Sequence, residues 1–284
     1  MSTPAPSQIL DACAEAAALA SDHLRTVDTR GLAREEKTGF QDIVTEHDRA
    51  CEGMIVARLR DLLPQARIVG EEGGARDAAD QDRGAASGLT LFVDPIDGTS
   101  NFAAGLPLFC VSIGAAVDGQ LVAGVVDAPL LGQVFTADDG PTRLNGRDLP
   151  PRPTRPAHQA MVLSDFPSAR DLRSIPEVAR QWLPRLRTEH SAVRGLGTAA
   201  LELAWVAAGW ADATALTSIK PWDVAAGFHL VRQAGGSVRT WPGTGNPSAP
   251  DHERPAYVAC TGPERLPLLD ELQEDVQAAR QVTS

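Results

Sequence analysis

Between residues 7 and 24 the apolar positions Ile9, Leu10, Cys13, Ala17, Ala20 and Leu24 recur at helical spacing, which predicts an amphipathic first helix. Residues 43–63 follow the same logic: Met54, Ile55, Leu59 and Leu62 form the apolar stripe, Thr45 is placed to cap it, and Pro64 stops it. Residues 66–70 read as a short strand leading into Glu71-Glu72, and the polar, Gly/Ala/Asp-rich stretch 73–88 as a solvated loop. Strands are predicted at 89–93, 110–117 and 120–127, the last two joined by the turn Asp118-Gly119. Asn145-Gly146 is a second hairpin signal. After it, Pro150, Pro151, Pro153 and Pro156 mark a boundary between an N-terminal half, 1–150, and a C-terminal half, 151–284. Beyond it the pattern predicts a strand at 160–164, buried helices at 198–209 and 224–234, and a final helix over about 266–280. Gly235-Gly236 closes the second of those buried helices. No internal repeat is visible, and strands and helices mix without strict βαβ alternation, so the class is layered α/β or α+β.

Composition narrows this picture. The 284 residues are compatible with one large α/β unit, and 43% hydrophobic residues suffice for a sizeable core. The net charge of −11 argues against direct nucleic-acid binding, which needs concentrated Lys and Arg. It also means that any phosphate site must reverse the local field with cations or backbone N–H groups. Cys13, Cys51, Cys110 and Cys260 are scattered with no C-x-x-C pair, which points to buried, neutral thiols in a reducing compartment rather than to structural zinc. Asp11, Glu15 and Asp22 interrupt the Ala/Leu-rich N-terminal segment, and no apolar run approaches the ~20 residues needed to span a bilayer. The expected location is cytoplasmic, away from membranes.

The candidate chemistry centres on the run Asp94-Pro95-Ile96-Asp97-Gly98-Thr99-Ser100-Asn101-Phe102. An apolar strand leads into two carboxylates separated by a Pro that fixes φ and donates no hydrogen bond. Gly98 permits a backbone path closed to other residues. Thr99, Ser100 and Asn101 offer hydroxyls and N–H groups where a helix could begin, and a helix N-terminus attracts anions. A lone D-x-x-D-G would be an acidic turn as readily as a ligand set; the longer string is more specific. Glu71-Glu72, also at a strand end, reads alone as a solvated turn. Asp223, in Lys220-Pro221-Trp222-Asp223-Val224-Ala225-Ala226-Gly227, sits where capping of the next helix would explain it.

Taken together, Glu71, Asp94, Asp97 and Asp223 say more than any of them singly. Two carboxylates ~4 Å apart repel by about 4 kcal/mol at an effective dielectric of 20. Four would take up protons or expand unless divalent cations neutralised them. All-oxygen ligation favours Mg²⁺, which also binds substrate phosphate, and two such ions would stabilise both the attacking and the leaving oxygen of an in-line displacement.

These strings resemble the three signatures of the inositol monophosphatase family, a lithium-sensitive, Mg-dependent phosphatase superfamily. Asp42-Ile43-Val44-Thr45-Glu46-His47-Asp48 looks like its early acidic motif, and Gly197-Thr198-Ala199-Ala200 like its substrate-side helix start. The resemblance covers nearly the whole chain and implies a layered αβαβα sandwich, two or three Mg²⁺ ions, lithium sensitivity and a homodimer. It implies a first metal held by Glu71, Asp94 and the carbonyl of Ile96, and a second held by Asp94, Asp97 and Asp223. Glu71 and Thr99, the latter supported by Asp48, carry catalysis in this analogy, with Thr99 helping to position the attacking water. Backbone groups near Gly98, Thr99 and Ser100 receive the phosphate; Asp97, Ala199, Leu216 and Asp223 line the alcohol side. Lys37 corresponds to the mobile N-terminal loop that closes over the site in relatives and helps hold a further, weaker metal.

One departure bears on the substrate. Inositol-selective members carry a Glu seven residues before the Trp-Asp aspartate; here that position is Leu216, which cannot accept a hydroxyl hydrogen bond. The expectation is hydrolysis of a small phosphate monoester other than myo-inositol 1-phosphate. Histidinol phosphate, a 3′-phosphorylated nucleotide and fructose 1,6-bisphosphate are the alternatives within that class, and a regulatory binding protein the alternative outside it. None of the six histidines forms an H-x-x-x-H or H-E-x-x-H pattern; His47 reads as a surface residue at a helix start and His229 as a packed helical one. No G-x-S-x-G elbow supports acyl transfer.

Overall fold

The computed structural model describes residues 3–30, 32, 35–39, 42–73 and 88–282. Helix α1 (Pro6–Thr26) opens with a Pro in its first turn and buries Ile9, Leu10, Cys13, Ala16, Ala17, Ala20 and Leu24. A two-stranded hairpin follows, β1 (Glu35–Gly39) against β2 (Asp42–Val44). Helix α2 (Glu46–Leu62) starts at Thr45: its hydroxyl accepts the His47 N–H, while the Asp48 carboxylate reaches back to the Thr45 N–H. This reciprocal cap fixes Asp48 at the helix start.

Both helices cover one face of a seven-stranded sheet. Its strands are β3 (Arg67–Gly70), β4 (Leu89–Asp97), β5 (Cys110–Val117), β6 (Gln120–Ala128), β7 (Gln133–Ala137), β8 (Arg143–Leu144) and β9 (Arg147–Asp148), neighbours in that order. The β3–β4 pair is parallel and the others antiparallel. The short helix α3 (Thr99–Ala104) follows β4 directly.

A five-stranded sheet is built from β10 (Met161–Leu163), β11 (Ala192–Arg194), β12 (Ala213–Leu216), β13 (Ser237–Trp241) and β14 (Ala256–Cys260), in the order β11-β10-β12-β14-β13. Between these strands run α4 (Ala169–Ser174), α5 (Pro176–Glu189), α6 (Ala199–Ala207) and α7 (Pro221–Gln233), and α8 (Pro267–Val282) ends the described chain. Helices α6 and α7 pack on each other between the two sheets, whereas α5 and α8 cover the outer face of the second sheet. The five layers therefore run αβαβα, the architecture expected.

Two glycines let α7 lie unusually close to the first sheet. A Cβ at Gly114 would stand 2.5 Å from both the Ala225 Cβ and the Ala226 N; one at Gly124 would stand 2.7 Å from the Ala226 carbonyl oxygen. With Ala225 and Ala226 facing them, the backbones approach and the first turn of α7 is held over β4 and β5.

The predicted first, second and last helices are present within a few residues, as are the strands that become β3, β5 and β6. The strand expected to stop at Val93 instead continues to Asp97. Hairpin β1–β2, helix α4 and strands β11 to β14 carry no strong period or turn signal and were not anticipated; helix α5 has a Pro at its start and buries Ala179, Trp182 and Leu186 at helical spacing, but was not read. Strands β12 (Ala-Thr-Ala-Leu) and β14 (Ala-Tyr-Val-Ala-Cys) sit between helical layers, and burial on both faces erases the alternation a half-exposed strand would show.

Candidate active site

Strand β4 delivers Asp94, Pro95, Ile96 and Asp97 to the end of the first sheet. Its pairing with β5 runs Asp94↔Ser112 and then Asp97↔Cys110, so Pro95 and Ile96 oppose Val111 alone. This bulge accommodates a residue with no N–H to give and swings both aspartates into one region. Asp94 holds it from within, Oδ1 accepting the Ile96 N–H at 3.0 Å. Gly98 then turns the chain into α3 with φ +96°, where a Cβ would lie 2.9 Å from the Leu108 carbonyl oxygen.

Glu71 arrives by register. Parallel pairing sets Gly70 beside Val93, and the Glu71 N–H donates to the Val93 carbonyl at 3.1 Å, bringing Glu71 next to Asp94. Asp223 arrives on the first turn of α7, where its Oδ2 accepts the Lys220 N–H at 2.7 Å. The capping role is therefore filled by one carboxylate oxygen. The Ser112 hydroxyl, beside Asp94, donates to the Trp222 carbonyl at 3.3 Å and ties that turn to β5.

Asp97 is gripped from the C-terminal half. Its Oδ2 accepts the Thr198 hydroxyl at 2.7 Å and the Ala200 N–H at 2.6 Å, both at the start of α6. Thr99 faces inward: its Oγ1 lies 3.0 Å from Asp48 Oδ1 and 3.0 Å from the Ile96 carbonyl oxygen. A hydroxyl has one proton and both neighbours are acceptors, so the proton is committed inward and only lone pairs face outward. Asp48, fully buried, takes Thr45 N–H and hydroxyl donors at 2.7 and 2.6 Å on its other oxygen.

The electrostatics follow from this crowding. Asp94 is 2% exposed; burial pushes its carboxyl well above the ordinary aspartate range, and the charges of Glu71, Asp97 and Asp223 push it further. It also shares a hydrogen bond with Glu71 that favours its protonated form. Burial raises Asp97 to about 6 even though its Thr198 and Ala200 donors oppose the rise. Asp223, partly exposed at its surface, is pushed up to about 8, first by desolvation and then by Asp97.

Among the described residues no three His, Cys, Asp or Glu side chains stand close enough to hold an ion as they are. The fit to a hard cation accordingly rests on the donor set: Asp94, Asp97 and Asp223 each commit one oxygen to a protein N–H or hydroxyl, which orients the other. All these donors are oxygens, the set that suits Mg²⁺.

The remaining expected residues fall as follows. Ser100 is the exposed second residue of α3, and Ala199 opens α6 with its N–H directed at Asp97. Leu216 ends β12, packed against the apolar cluster beneath α6 and α7, and its carbonyl accepts the Gln273 amide at 3.0 Å. The backbone of Lys37 lies in β1, but its side chain is outside the described residues, so the expected loop contact with it is too.

His47 corrects its expectation. It is largely buried, 3.1 Å from the His23 ring and edge-on to Phe102, because α1 and α2 close over the start of α3. His229 is packed as expected, bonded to the Asp138 carbonyl. All four cysteines are free and buried, and burial pushes Cys13 and Cys51 up to about 12.

Two supporting roles went unread in the sequence. Asn101 donates to the carbonyls of Leu108 and Leu196, each at 2.7 Å, tying α3 to the loop before α6. Glu202, fully buried, accepts the Leu196 N–H and the Thr214 hydroxyl, each at 2.9 Å, and is pushed up to about 8 by burial. A lone acid in the otherwise apolar Ala-Ala-Leu-Glu-Leu-Ala-Trp-Val-Ala was the available signal.

Comparison with known proteins agrees with the layered fold. The family model described as "Inositol monophosphatase family" matches residues 5–279. The Escherichia coli protein named Nus factor SuhB is 34% identical over 223 residues, 78% of this chain and 80% of that one. A Thermotoga maritima protein named fructose-1,6-bisphosphatase/inositol-1-monophosphatase is 36% identical over 210 residues, covering 74% and 75%. The crystal structure of the extragenic suppressor protein suhB from Bartonella henselae superposes with a TM-score of 0.74 at 28% identity, covering 96% of this chain and 98% of that one. Among the described residues no helix is long and apolar enough to cross a membrane.

Proposed function

The chain belongs to the inositol monophosphatase family, and from that premise we propose that it hydrolyses a small phosphate monoester with Mg²⁺, without a covalent intermediate. The observation that carries this reading is the convergence of Glu71, Asp97 and Asp223 on the buried Asp94. A buried carboxyl facing the charges of three other acids calls for compensation by cations.

In this reading Glu71, Asp94, the Ile96 carbonyl, Asp97 and Asp223 hold the metal. When bound, Mg²⁺ supplies Lewis acidity and the positive charge that attracts a phosphate to an acidic chain. The chain's own groups do the rest. The first-turn N–H groups of α3 have no intrahelical acceptors, so those near Gly98, Thr99 and Ser100 receive phosphate oxygens. Asp48 keeps the Thr99 proton turned inward, so a water touching Thr99 Oγ1 must donate to it. That orientation leaves a water lone pair for the phosphorus, in line with the leaving alcohol.

The alcohol side is apolar at Leu216, so inositol 1-phosphate loses a hydroxyl partner there and is not the best substrate. Histidinol phosphate, a 3′-phosphonucleotide and fructose 1,6-bisphosphate remain the candidate classes. The cytoplasm, lithium sensitivity and a homodimer belong to the same reading. A second reading, a regulatory protein with residual activity, draws on relatives named Nus factor SuhB. Phosphate release from a panel of monoesters, with and without Mg²⁺, tests the enzymatic reading. Release only with Mg²⁺ supports the enzyme; no release from any ester removes it.

A further inference from the structure

In the second sheet β11, β10 and β12 run parallel, with β10 between the other two. The chain passes from β10 to β11 through α5 on the outer face, and from β11 to β12 through α6 on the inner face. Where successive connections leave to opposite faces, a crevice opens at the carboxyl ends of the strands, the usual place for a ligand in such sheets. Asp165 stands at that crevice. Ser164, just before it, is tied to both neighbouring strands: its N–H donates to the Arg194 carbonyl and its hydroxyl to the Ala215 carbonyl, each at 2.7 Å. The register Leu163↔Thr214, carried on by two residues, sets Asp165 level with Leu216.

The carboxylate lies against the turn that leads to the acid cluster. A Cβ on Gly195 would have no room, because Asp165 Oδ1 fills that space, and the Gly197 N–H donates to the same carboxylate. Thr198 and Ala200, which grip Asp97, follow at once. The Asp165 side chain is nonetheless exposed, and among the described residues it makes no ion pair. Water lost against the turn raises its carboxyl above the ordinary aspartate value, and no neighbouring cation opposes the rise. Asp165 lies outside the set of metal ligands, so Mg²⁺ bound there leaves this charge in place.

Resting on the phosphatase reading, we propose that Asp165 selects the alcohol, favouring phosphate monoesters whose alcohol carries a cationic amine. Leu216 brings an apolar side chain to one side of the crevice and Asp165 a carboxylate to the other. An ammonium gives that carboxylate a charge-assisted hydrogen bond, about twice as strong as the bond between neutral groups. A second phosphate on the alcohol meets repulsion at the same place. Of the candidate classes, histidinol phosphate carries such an amine, and fructose 1,6-bisphosphate carries the disfavoured second phosphate.

The test is kcat/KM near neutral pH and at constant Mg²⁺ for 2-aminoethyl and 3-aminopropyl phosphate against their 2-hydroxyethyl and 3-hydroxypropyl counterparts. Wild type, Asp165→Asn and Asp165→Glu are compared. Wild type prefers at least one amino ester over its hydroxy counterpart by about tenfold, Asp165→Asn brings that ratio near one, and Asp165→Glu keeps part of the preference. Each ratio is taken on one protein, so a general loss of activity cancels from it. A wild-type ratio near one, or a preference that survives Asp165→Asn, overturns the proposal alone. So does a protein that cleaves the wider panel of monoesters but none of these. No release from either set removes the phosphatase reading and the proposal together.

Discussion

Replacing Glu202 by Gln should stabilise the protein at alkaline pH and do almost nothing at acid pH. In the fold this carboxyl is fully buried and titrates near 8, against an ordinary value of 4.5. The unfolded chain gives up the proton more easily, so the stability linked to Glu202 is fully present below about pH 4.5 and is lost as pH rises towards 8. At ~1.4 kcal/mol per pH unit the loss reaches about 4–5 kcal/mol. Gln keeps an acceptor for the Leu196 N–H and presents an amide donor to Thr214, whose hydroxyl can accept it. Allowing for imperfect geometry, the gain at pH 8.5 should be about 3 kcal/mol, or roughly 6 °C in Tm at ~2 °C per kcal/mol for a chain of this size. The assay is thermal unfolding of both proteins from pH 4.5 to 9 in matched buffers, read as the difference between them. A variant equally destabilised at every pH would refute the reasoning, because the carboxylate would then be stabilising in its charged form.

Gly114→Ala should destabilise by more than about 2 kcal/mol in denaturant unfolding, since the new methyl meets helix backbone that can retreat only by lifting α7 off the sheet; a change within about 0.5 kcal/mol would show that contact to be soft. Thr99→Val should lower kcat roughly 10²–10³-fold with little change in KM, losing the group that orients the water while leaving phosphate binding intact. An effect confined to KM would place Thr99 in binding alone. Leu216→Glu should raise kcat/KM for inositol 1-phosphate about tenfold, the scale of one hydroxyl partner regained, and no change would remove Leu216 from the specificity argument.

The candidate site residues were named from the sequence, but the contacts that position them were not legible there. Asp94, Asp97, Glu71 and Asp223 stood out only as a set, since alone each reads as an acidic turn or a helix cap. Their mutual support did not show. The bulge at Pro95 and Ile96 depends on pairing with Val111, and the grip on Asp97 comes from Thr198 and Ala200, about a hundred residues away. Such contacts leave no local period. Glu202 was visible as an acid in an apolar helix, but its partners Leu196 and Thr214 are defined only once β12 lies beside α6. His47 was misjudged for the same reason: a polar residue at a helix start reads as exposed until the neighbouring helix covers it. The second sheet was largely hidden because short strands buried on both faces look like any other apolar run.

The central claim is that the acids around Asp94 form a Mg²⁺ site that drives phosphate release. The most direct measurement is phosphate release as a function of Mg²⁺ concentration for wild type and Asp97→Asn, each checked for intact folding by circular dichroism. The account predicts a saturable rise with Mg²⁺ in the wild type and a loss of more than about a hundredfold in a folded Asp97→Asn, beyond the scale seen when a ligand's supporting partner is removed. Activity independent of Mg²⁺, or an Asp97→Asn variant that keeps most of it, would contradict the account.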